Sequence, residues 1–283
     1  MTAIAKSLRN SGFMTFPIVF GCIVLTLVIL ISVFAPVITS FDPIQIAPQY
    51  RLRAPSGEFL MGTDMLGRDV WTRVAFGGRV ALFIGASVVV VSMVTGIVIG
   101  LFSGFFRTLD AIIMRVMDGV MAIPGILLAI ALVSLSGTGI FTVIVAIAVP
   151  EIPRVARLVR GVTLSLRNEP FVEAAEGVGT SSLKILWRHI LPNTMAPLIV
   201  QGTYIFAAAM LTEATLSFIG AGPPSEVPTW GNVIAEGRAV FHRAPWIILC
   251  PGAFLAATIL AVNILGDGLR DTLDPRNRGR IGL

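Results

Sequence analysis

Long apolar segments without charged residues are the feature that most limits the fold of this chain. No charged residue occurs from Asn10 to Phe41, and a second uncharged run extends from Val80 to Phe106. A helix needs about 20 mainly apolar residues to cross a bilayer. Only 13% of the chain is charged and its mean hydropathy is +0.88, whereas about 25% of the residues of a soluble domain are charged. The sequence therefore predicts an all-α polytopic membrane protein.

The apolar runs predict six transmembrane helices. The first run is longer than the roughly 7–15 apolar residues of a signal peptide, and further runs follow it, so we expect a retained first helix. The turn signal SLSGTG at 134–139 divides the uncharged segment Gly119–Pro150. The third to sixth helices are then predicted at about 111–133, at about 140–160, from Ile190 past Thr212, and from Ala244 to Gly266.

Charge distribution predicts the orientation of these helices. Six spans place both termini on one side of the membrane. With the N-terminus inside, the inner segments carry 14 Lys and Arg residues and the outer segments carry seven. Cytoplasmic loops of membrane proteins are enriched in Lys and Arg. Both termini are therefore expected in the cytoplasm.

Several function classes are excluded by the residues themselves. The net charge is only +5, and the basic residues lie in short loops, which indicates contact with lipid headgroups rather than nucleic acid. Cys22 and Cys250 both fall in apolar runs, so neither a disulfide nor a metal site is expected. No P-loop, H-E-x-x-H, nucleophile elbow or C-x-x-C motif occurs. We expect no catalytic, cofactor-binding or metal-binding residues.

A charged, glycine-containing segment at 170–193 interrupts the apolar pattern. Pro170 suits the first turn of a helix, and Glu173 and Glu176 are favourable near its N-terminus. The segment predicts two short helices at the membrane surface, with Pro192 breaking or kinking the chain before the fifth span. Their predicted apolar faces comprise Phe171, Val172, Ala174, Ala175 and Val178 in the first helix, and Leu183, Leu186, Trp187 and Ile190 in the second. A helical pair resting in the headgroups and a docking element for a partner both fit this pattern.

The same segment resembles the EAA loop of ABC-importer permeases. In that pattern Glu-Ala-Ala is followed after three residues by Gly, and after nine more by Ile-x-Leu-Pro. Here Glu173, Ala174, Ala175, Gly179, Leu191 and Pro192 occupy those positions, and His189 stands in place of Ile. RHILPN at 188–193 is similar to the dipeptide and oligopeptide branch. MGTDMLGRDVWTRVAFGGRVAL at 61–82, LTEATLSFIGAGPPSEVPTWGNVI at 211–234 and DGLRDTLDPR at 267–276 resemble the C-type subunit of peptide permeases.

The resemblance implies a type I ABC-importer permease fold with six transmembrane helices in the bacterial inner membrane. It divides the chain into a first helix with the start of a periplasmic loop (1–60), a periplasmic segment (61–79), a core (80–270) with a cytoplasmic EAA loop at about 165–193, and a tail (271–283). It implies a non-catalytic subunit that forms half of a pore. The implied partners are a second homologous permease, two cytoplasmic ATPase subunits that bind the ATP, a periplasmic substrate-binding protein and membrane lipid.

In this family the EAA loop contains the helix that couples the ATPase to the pore. The candidate coupling residues implied here are Glu173, Ala174, Ala175, Gly179, His189, Leu191 and Pro192. For His189, packing or a headgroup contact is the alternative. The cargo stays open among dipeptides, oligopeptides, glutathione-like peptides, opines and nickel complexes.

Two outer segments and two intramembrane carboxylates are further candidates. The segment 62–79 predicts a short outer helix with local ion pairs, or a contact for a substrate-delivering protein. The loop 220–245, with Trp230, predicts a rigid rim at the pore mouth. Asp118 and Glu213 lie in or near membrane helices, where charge is costly. Both are candidate gate or subunit-interface residues, and Asp118 is alternatively a partner of Arg115.

Two other classes of function remain open from the residues. An ion-coupled secondary transporter would use Asp118 and Glu213, although such transporters usually contain internal repeats and none is recognisable here. A membrane scaffold would use the 170–193 segment for docking alone.

Overall fold

The computed structural model describes residues 16–224 and 226–273, and in this part of the chain the regular structure is helical. The main helices are α1 (Phe16–Val33), α2 (Val70–Phe105), α3 (Arg107–Ala122), α4 (Gly125–Ser136), α5 (Ile140–Leu166), α6 (Pro170–Gly177), α7 (Ser182–Ile185), α8 (Leu191–Phe218), α9 (Trp230–Gly237) and α10 (Trp246–Leu273). A π-helical turn, Leu186–Ile190, joins α7 to α8.

Four helices of the described chain are long and apolar enough to cross a membrane. They are α1, α2, the continuous helix Ser182–Phe218 that contains α8, and α10. The pair α3 and α4 meets the same criterion only when taken together, and its two helices meet at 89°. Helix α5 contains Glu151, Arg154 and Arg157 in its central turns, so composition alone does not identify it as a span. Six spans and the orientation of the termini stay predictions.

The third helix predicted at about 111–133 is divided into two helices. Helix α3 ends at Ala122 and α4 begins at Gly125. The residue before a proline is disfavoured in the helical conformation, and Ile123, before Pro124, is extended, with φ −91° and ψ 128°. This proline therefore coincides with the sharp bend. The predicted turn at 134–139 is confirmed, since α4 ends at Ser136 and Gly137 has a φ of +85°.

The predicted separate outer helix at 62–79 is wrong. Residues 62–69 form a looped segment, and α2 begins at Val70 and continues without interruption to Phe105. The side chain of Asp69 caps this helix by accepting the backbone N–H of Thr72 at 2.8 Å. The 36 residues of α2 extend about 54 Å, so α2 is longer than the hydrocarbon layer of about 30 Å.

A row of glycines on α2 brings α5 into close contact. A Cβ at Gly96 would lie 2.5 Å from the Cβ of Val155, and a Cβ at Gly100 would lie 2.6 Å from that of Val159. A Cβ at Gly104 would lie 2.6 Å from the Cβ of Thr163. Small residues at every fourth position let membrane helices approach closely. Helix α5 is therefore held along α2, which is long and apolar enough to span the membrane.

Candidate functional site

The 170–193 segment folds into the predicted helical hairpin. Helix α6 begins at Pro170, after Glu169, and ends at Gly177. The backbone N–H of Thr180 donates to the carbonyl of Ala175 at 3.0 Å, and Gly179 has a φ of +78°. A left-handed residue after a helix end is usually glycine because other residues are strained there. Gly179 thus permits the tight reversal into α7.

One side of the hairpin is anchored in the main apolar core. Val172, Ile185, Leu186 and Ile190 are fully buried and belong to the cluster formed with α2, α5 and α8. The predicted apolar faces are therefore only partly correct, because burial also includes Ile185 and excludes several predicted members. The exposed large apolar side chains of the hairpin are Phe171, Val178, Leu183 and Trp187, and we call these four residues the bare face.

The chain is not broken at Pro192, because the helix is continuous from Ser182 to Phe218. A proline removes one N–H and crowds the carbonyl four residues earlier. The chain accommodates this with the π-helical turn Leu186–Ile190 immediately before α8. The hairpin is therefore joined to a membrane helix without a flexible linker.

The seven predicted coupling residues lie along this hairpin and at its junction with α8. Ala175 is buried, His189 and Leu191 are half-buried, and the others are exposed: Glu173, Ala174, Gly179 and Pro192. The ring of His189 lies 6.4 Å from that of Phe171, in the bare face. Its carbonyl accepts a hydrogen bond from the side-chain amide of Asn193 at 2.7 Å. The coupling role of these residues stays a prediction.

An open cleft separates the hairpin from the turn between α2 and α3. Its volume is about 440 Å³, and its lining comprises Phe105, Phe106, Arg107, Thr108, Arg167, Asn168, Glu173 and Glu176. The guanidinium of Arg167 donates to the carbonyl of Phe105 at 3.0 Å. The cleft thus brings Glu173 and Glu176 of α6 near two basic side chains and the end of α2.

The predicted ion pairs of the outer segment exist, but they extend to a residue that the sequence did not indicate. Asp64 accepts from Arg68 at 2.7 Å and from Arg73 at 2.8 Å. Both arginines also donate to Glu236 of α9, Arg73 through Nη2 at 3.0 Å. The Arg73 side chain is only 1% exposed. We call Asp64, Arg68, Arg73 and Glu236 the outer ion cluster, and it fastens α9 to the first outer segment.

Asp69, also predicted to form ion pairs, serves instead as the N-cap of α2. Its carboxylate accepts from the Thr72 backbone at 2.8 Å and from the Thr72 hydroxyl at 2.6 Å. Burial raises the pKa of Asp69 above its ordinary value of 3.8, while the bonds from Thr72 oppose that shift.

Trp230 is buried rather than presented at a rim. Its indole N–H donates to the carbonyl of Val74 at 2.8 Å, and 1% of the residue is exposed. Trp246 similarly donates to the carbonyl of Thr63 at 3.1 Å. These bonds and the outer ion cluster join the two outer segments into one unit. A role of Trp230 in gating stays a prediction.

Asp118 pairs with Arg157 of α5 rather than with Arg115, so the predicted local pair is wrong. Its carboxylate accepts from the guanidinium of Arg157 at 2.5 Å. Arg160, one turn further along α5, binds Asp110 of α3 through two bonds of 2.5 and 2.7 Å. Both pairs connect α3 to α5. The sequence separation of 39 and 50 residues explains why local spacing did not indicate them.

Glu213 has no cationic partner in the part of the chain that the structure describes. Its carboxylate accepts the hydroxyl of Ser217, one turn further along α8, at 2.7 Å, and only 1% of the residue is exposed. In this conformation the side chain offers almost no surface to another subunit. Its function as a gate stays a prediction.

The comparisons with known proteins agree with this architecture and with the sequence resemblance. A family model described as the binding-protein-dependent transport system inner membrane component matches residues 96–279. The backbone is similar to that of the MetNI methionine ABC transporter in an inward-facing conformation, with a TM-score of 0.58 and 16% identity over 71% of this chain and 96% of the other. This second likeness concerns the fold alone.

Relatives named as peptide permeases match nearly the whole chain. A probable peptide ABC transporter permease of Sinorhizobium fredii is 52% identical and covers 89% of this chain and 86% of its own length. A dipeptide transport system permease of Alkalihalophilus pseudofirmus is 41% identical over 90% and 84% of the two chains. The protein is thus a multi-pass component of the bacterial inner membrane. The chain belongs to the family of binding-protein-dependent transport system inner membrane components, in which it is similar to the peptide permeases.

Proposed function

We propose that this chain is a permease subunit of an ATP-driven importer for peptides or related small solutes. It forms half of the translocation pore and couples to a cytoplasmic ATPase through the α6–α7 hairpin. Six spans, namely α1, α2, the bent pair α3–α4, α5, α8 and α10, place both termini in the cytoplasm. The proposed division of the chain is the one predicted from its sequence, with a first helix to residue 60, a periplasmic segment at 61–79, a core at 80–270 and a tail.

The observation that carries this proposal is the construction of the hairpin. One side is fixed in the core by fully buried residues, and the helix Ser182–Phe218 continues from it into the membrane. The other side carries the bare face, in which Val178 is 81% exposed. Exposed apolar patches at a polar surface mark interaction sites. A partner that moves the bare face would therefore move α8 with it.

The proposed partners supply ATP hydrolysis, the second half of the pore and delivery of the cargo. Its sequence contains no P-loop, so ATP is bound and hydrolysed by two ATPase subunits, and this subunit is non-catalytic and needs no cofactor. A second homologous permease supplies the other half of the pore, and a periplasmic binding protein delivers the cargo. The relatives named for peptide and dipeptide transport support peptides as the cargo class.

The first experiment is co-purification from cells that express the chain with its gene neighbours. We expect an ATPase subunit to co-purify with the wild type in mild detergent, and to be lost from Val178→Arg and Leu183→Arg. These positions are exposed, so the substitutions leave the anchored side of the hairpin unchanged. Gly179 is a poor test position because its φ of +78° would strain any side chain.

A charge reversal outside the hairpin provides the matched control. Glu58 lies in the outer segment and its side chain is 56% exposed, so Glu58→Arg should retain the ATPase. Retention of the ATPase by both hairpin variants would refute coupling through the bare face. Purification of the wild type without any ATPase, in amounts that show a folded protein, would favour the scaffold or ion-coupled alternative.

A further inference from the structure

Three ion pairs form a series along α5 from its C-terminal part toward its middle. Arg160 pairs with Asp110 and Arg157 with Asp118, both across to α3. Arg154 pairs with Glu151 within α5, through Nη1 bonds of 2.9 and 3.1 Å. Of these three arginines, Arg154 has the most exposed side chain, at 57%, whereas its partner Glu151 is 12% exposed.

Arg154 lies near the middle of α5 and beside the central part of the apolar run of α2. It lies 14 residues after Ile140 in a helix of 27 residues, which is about 21 Å along a helix of about 40 Å. Its neighbour Val155 packs against Gly96 of α2. Gly96 lies three residues from the middle of the uncharged run Val80–Phe106, which corresponds to about 4.5 Å.

Contact with lipid tails would be energetically unfavourable for the charged side chains in the middle of α5. A guanidinium at the bilayer centre costs roughly 2.5–3.5 kcal/mol on insertion scales, and intramembrane charges therefore face a protein interior or water. The exposed residues Arg154, Arg157, Gly161 and Ser165 recur at spacings of three and four, so they share one face of α5. A Cβ at Gly161 would meet no atom within 4 Å. This face, which we call the polar stripe, is open in the described chain.

The hydrogen bonds of Arg154 leave part of its guanidinium free for an anion. Nη1 makes both bonds to Glu151, and in residues 16–224 and 226–273 the Nε and Nη2 groups of Arg154 have no hydrogen-bond partner. A guanidinium presents five N–H donors in a planar arrangement that matches a carboxylate. Arg157, on the same face, is bound through Nη2 to Asp118 of α3.

We propose that the polar stripe lines the translocation pathway and that Arg154, held by Glu151, binds the C-terminal carboxylate of a peptide in transit. This inference rests on the proposed function, which supplies the pathway and the cargo class. Glu151 orients the guanidinium, and the free donors of Arg154 receive the carboxylate through charge-assisted hydrogen bonds, which are stronger than neutral ones. The cargo thereby exchanges part of its hydration for protein contacts as it crosses.

The first test measures ATP-driven uptake into liposomes that contain the complete transporter. The probes are the dipeptide Ala-Phe and its C-terminal amide, and the measured quantity is the ratio of their uptake rates relative to wild type. Any preference of the binding protein cancels in this comparison. Arg154→Gln should lower uptake of the free acid about tenfold, as expected for a lost charged hydrogen bond, while uptake of the amide changes little. Arg154→Lys should be intermediate, and Arg53→Gln, at a half-exposed position outside the polar stripe, should leave the ratio unchanged.

The second test does not need transport. Gly161→Cys, with Cys22 and Cys250 replaced by serine, places one thiol on the polar stripe. We expect labelling by water-soluble thiol reagents, and faster labelling by an anionic than by a cationic reagent. Adding Arg154→Gln should reduce that preference. Val145→Cys, an exposed position of α5 nine residues before Arg154 on the opposite side of the helix, should stay unlabelled as a lipid-facing control.

These tests separate the inference from the proposed function. No uptake of either probe by the wild type would contradict the proposed function, and the labelling result alone would then decide whether the polar stripe attracts anions. An unlabelled Gly161→Cys would show that the stripe is covered by a partner helix and would overturn the inference. Equal loss of both probes in Arg154→Gln, or an unchanged ratio, would do the same. A ratio that depends on anionic lipid content rather than on the peptide terminus would assign the anion to lipid headgroups and overturn it too.

Discussion

Replacing Arg73 by methionine tests whether the outer ion cluster holds the two outer segments together. Methionine preserves most of the aliphatic stem but removes the charge. The guanidinium contacts Asp64 at 2.8 Å and Glu236 at 3.0 Å, and the side chain is 1% exposed. Its loss therefore removes the ion pairs that connect α2 to α9, while the Trp230–Val74 hydrogen bond remains and Arg68 still reaches both carboxylates.

The expected cost follows from the geometry of the remaining groups. Removing one partner of a buried ion pair costs roughly 3–5 kcal/mol because the other charge stays buried. Asp64 keeps Arg68 at 2.7 Å, and Glu236 is 26% exposed to solvent, so we expect the lower end of that range, about 3 kcal/mol. At roughly 2–4 °C per kcal/mol for chains of about this size, the unfolding midpoint should fall by about 6–12 °C.

Intrinsic fluorescence during thermal unfolding in detergent provides the assay. Three of the four tryptophans, Trp71, Trp230 and Trp246, lie in or next to the two segments that the outer ion cluster joins. The fluorescence therefore reports on unfolding around that cluster. Arg53→Met is the control, because Arg53 and Glu58 are 4.0 Å apart and each is about half exposed. Such pairs contribute about 0–1 kcal/mol. A midpoint for Arg73→Met no lower than that of Arg53→Met would refute the reasoning.

Substitutions at four other positions test local features of the helices. Asp69→Ala should destabilise the protein by about 1 kcal/mol through loss of the cap, whereas Asp69→Asn should retain it. Because burial raises the pKa of Asp69 above 3.8, the folded state binds more protons than the unfolded chain between the two pKa values. Wild-type stability should therefore fall as pH rises through that window, and Asp69→Asn should lose this dependence in thermal scans from about pH 4 to about pH 7. Gly100→Ala should cost roughly 1–3 kcal/mol, because its Cβ would lie 2.6 Å from that of Val159. Gly119→Ala, which meets no atom within 4 Å, should instead stabilise α3 by roughly 0.5–1 kcal/mol, and unfolding midpoints compare the two. Pro124→Ala should lengthen the distance between spin labels on α3 and α4 if the proline causes their bend, and an unchanged distance in pulsed EPR would assign the bend to packing.

The lengths of the apolar runs and the local spacing of residues correctly predicted the features that are set by residues close together in the sequence. The first helix, the turn at 134–139 and the hairpin with Gly179 at its reversal all follow from such signals. Local signals marked Pro124-Gly125 as a candidate kink or fixed bend, but they did not give its angle of 89°. A proline inside a membrane helix is compatible with both a kink and a complete break, and the choice depends on what packs around it.

Contacts between distant segments could not be predicted from one sequence. Glu236 and Arg73 are 163 residues apart, and no spacing rule connects an outer loop helix to the start of α2. Asp118 had a plausible partner at Arg115 on its own helix, yet it pairs across to Arg157. The sequence also assigned Leu183 and Trp187 to one apolar stripe with Leu186 and Ile190, of which only the last two are buried. The π-helical turn that follows α7 changes the helical register, so a stripe drawn with α-helical spacing does not describe its burial.

Helix α5 takes part both in the proposed coupling to the ATPase and in the proposed binding of the cargo. Its final turns lead directly into α6, with Arg167 bound to the end of α2, and its central turns carry Arg154 on the polar stripe. The glycine row of α2 holds α5 by close packing, and packed interfaces shift between discrete arrangements rather than deforming continuously. A displacement of the hairpin by a partner would therefore move α5 and α8 as rigid bodies. Because Asp110 and Asp118 tie α3 to α5, α3 would follow, and the environment of Arg154 would change in the same step. Coupling and cargo release would then share one helix, so a variant that uncouples the ATPase should also abolish any ATP-dependent change in thiol labelling at Gly161→Cys.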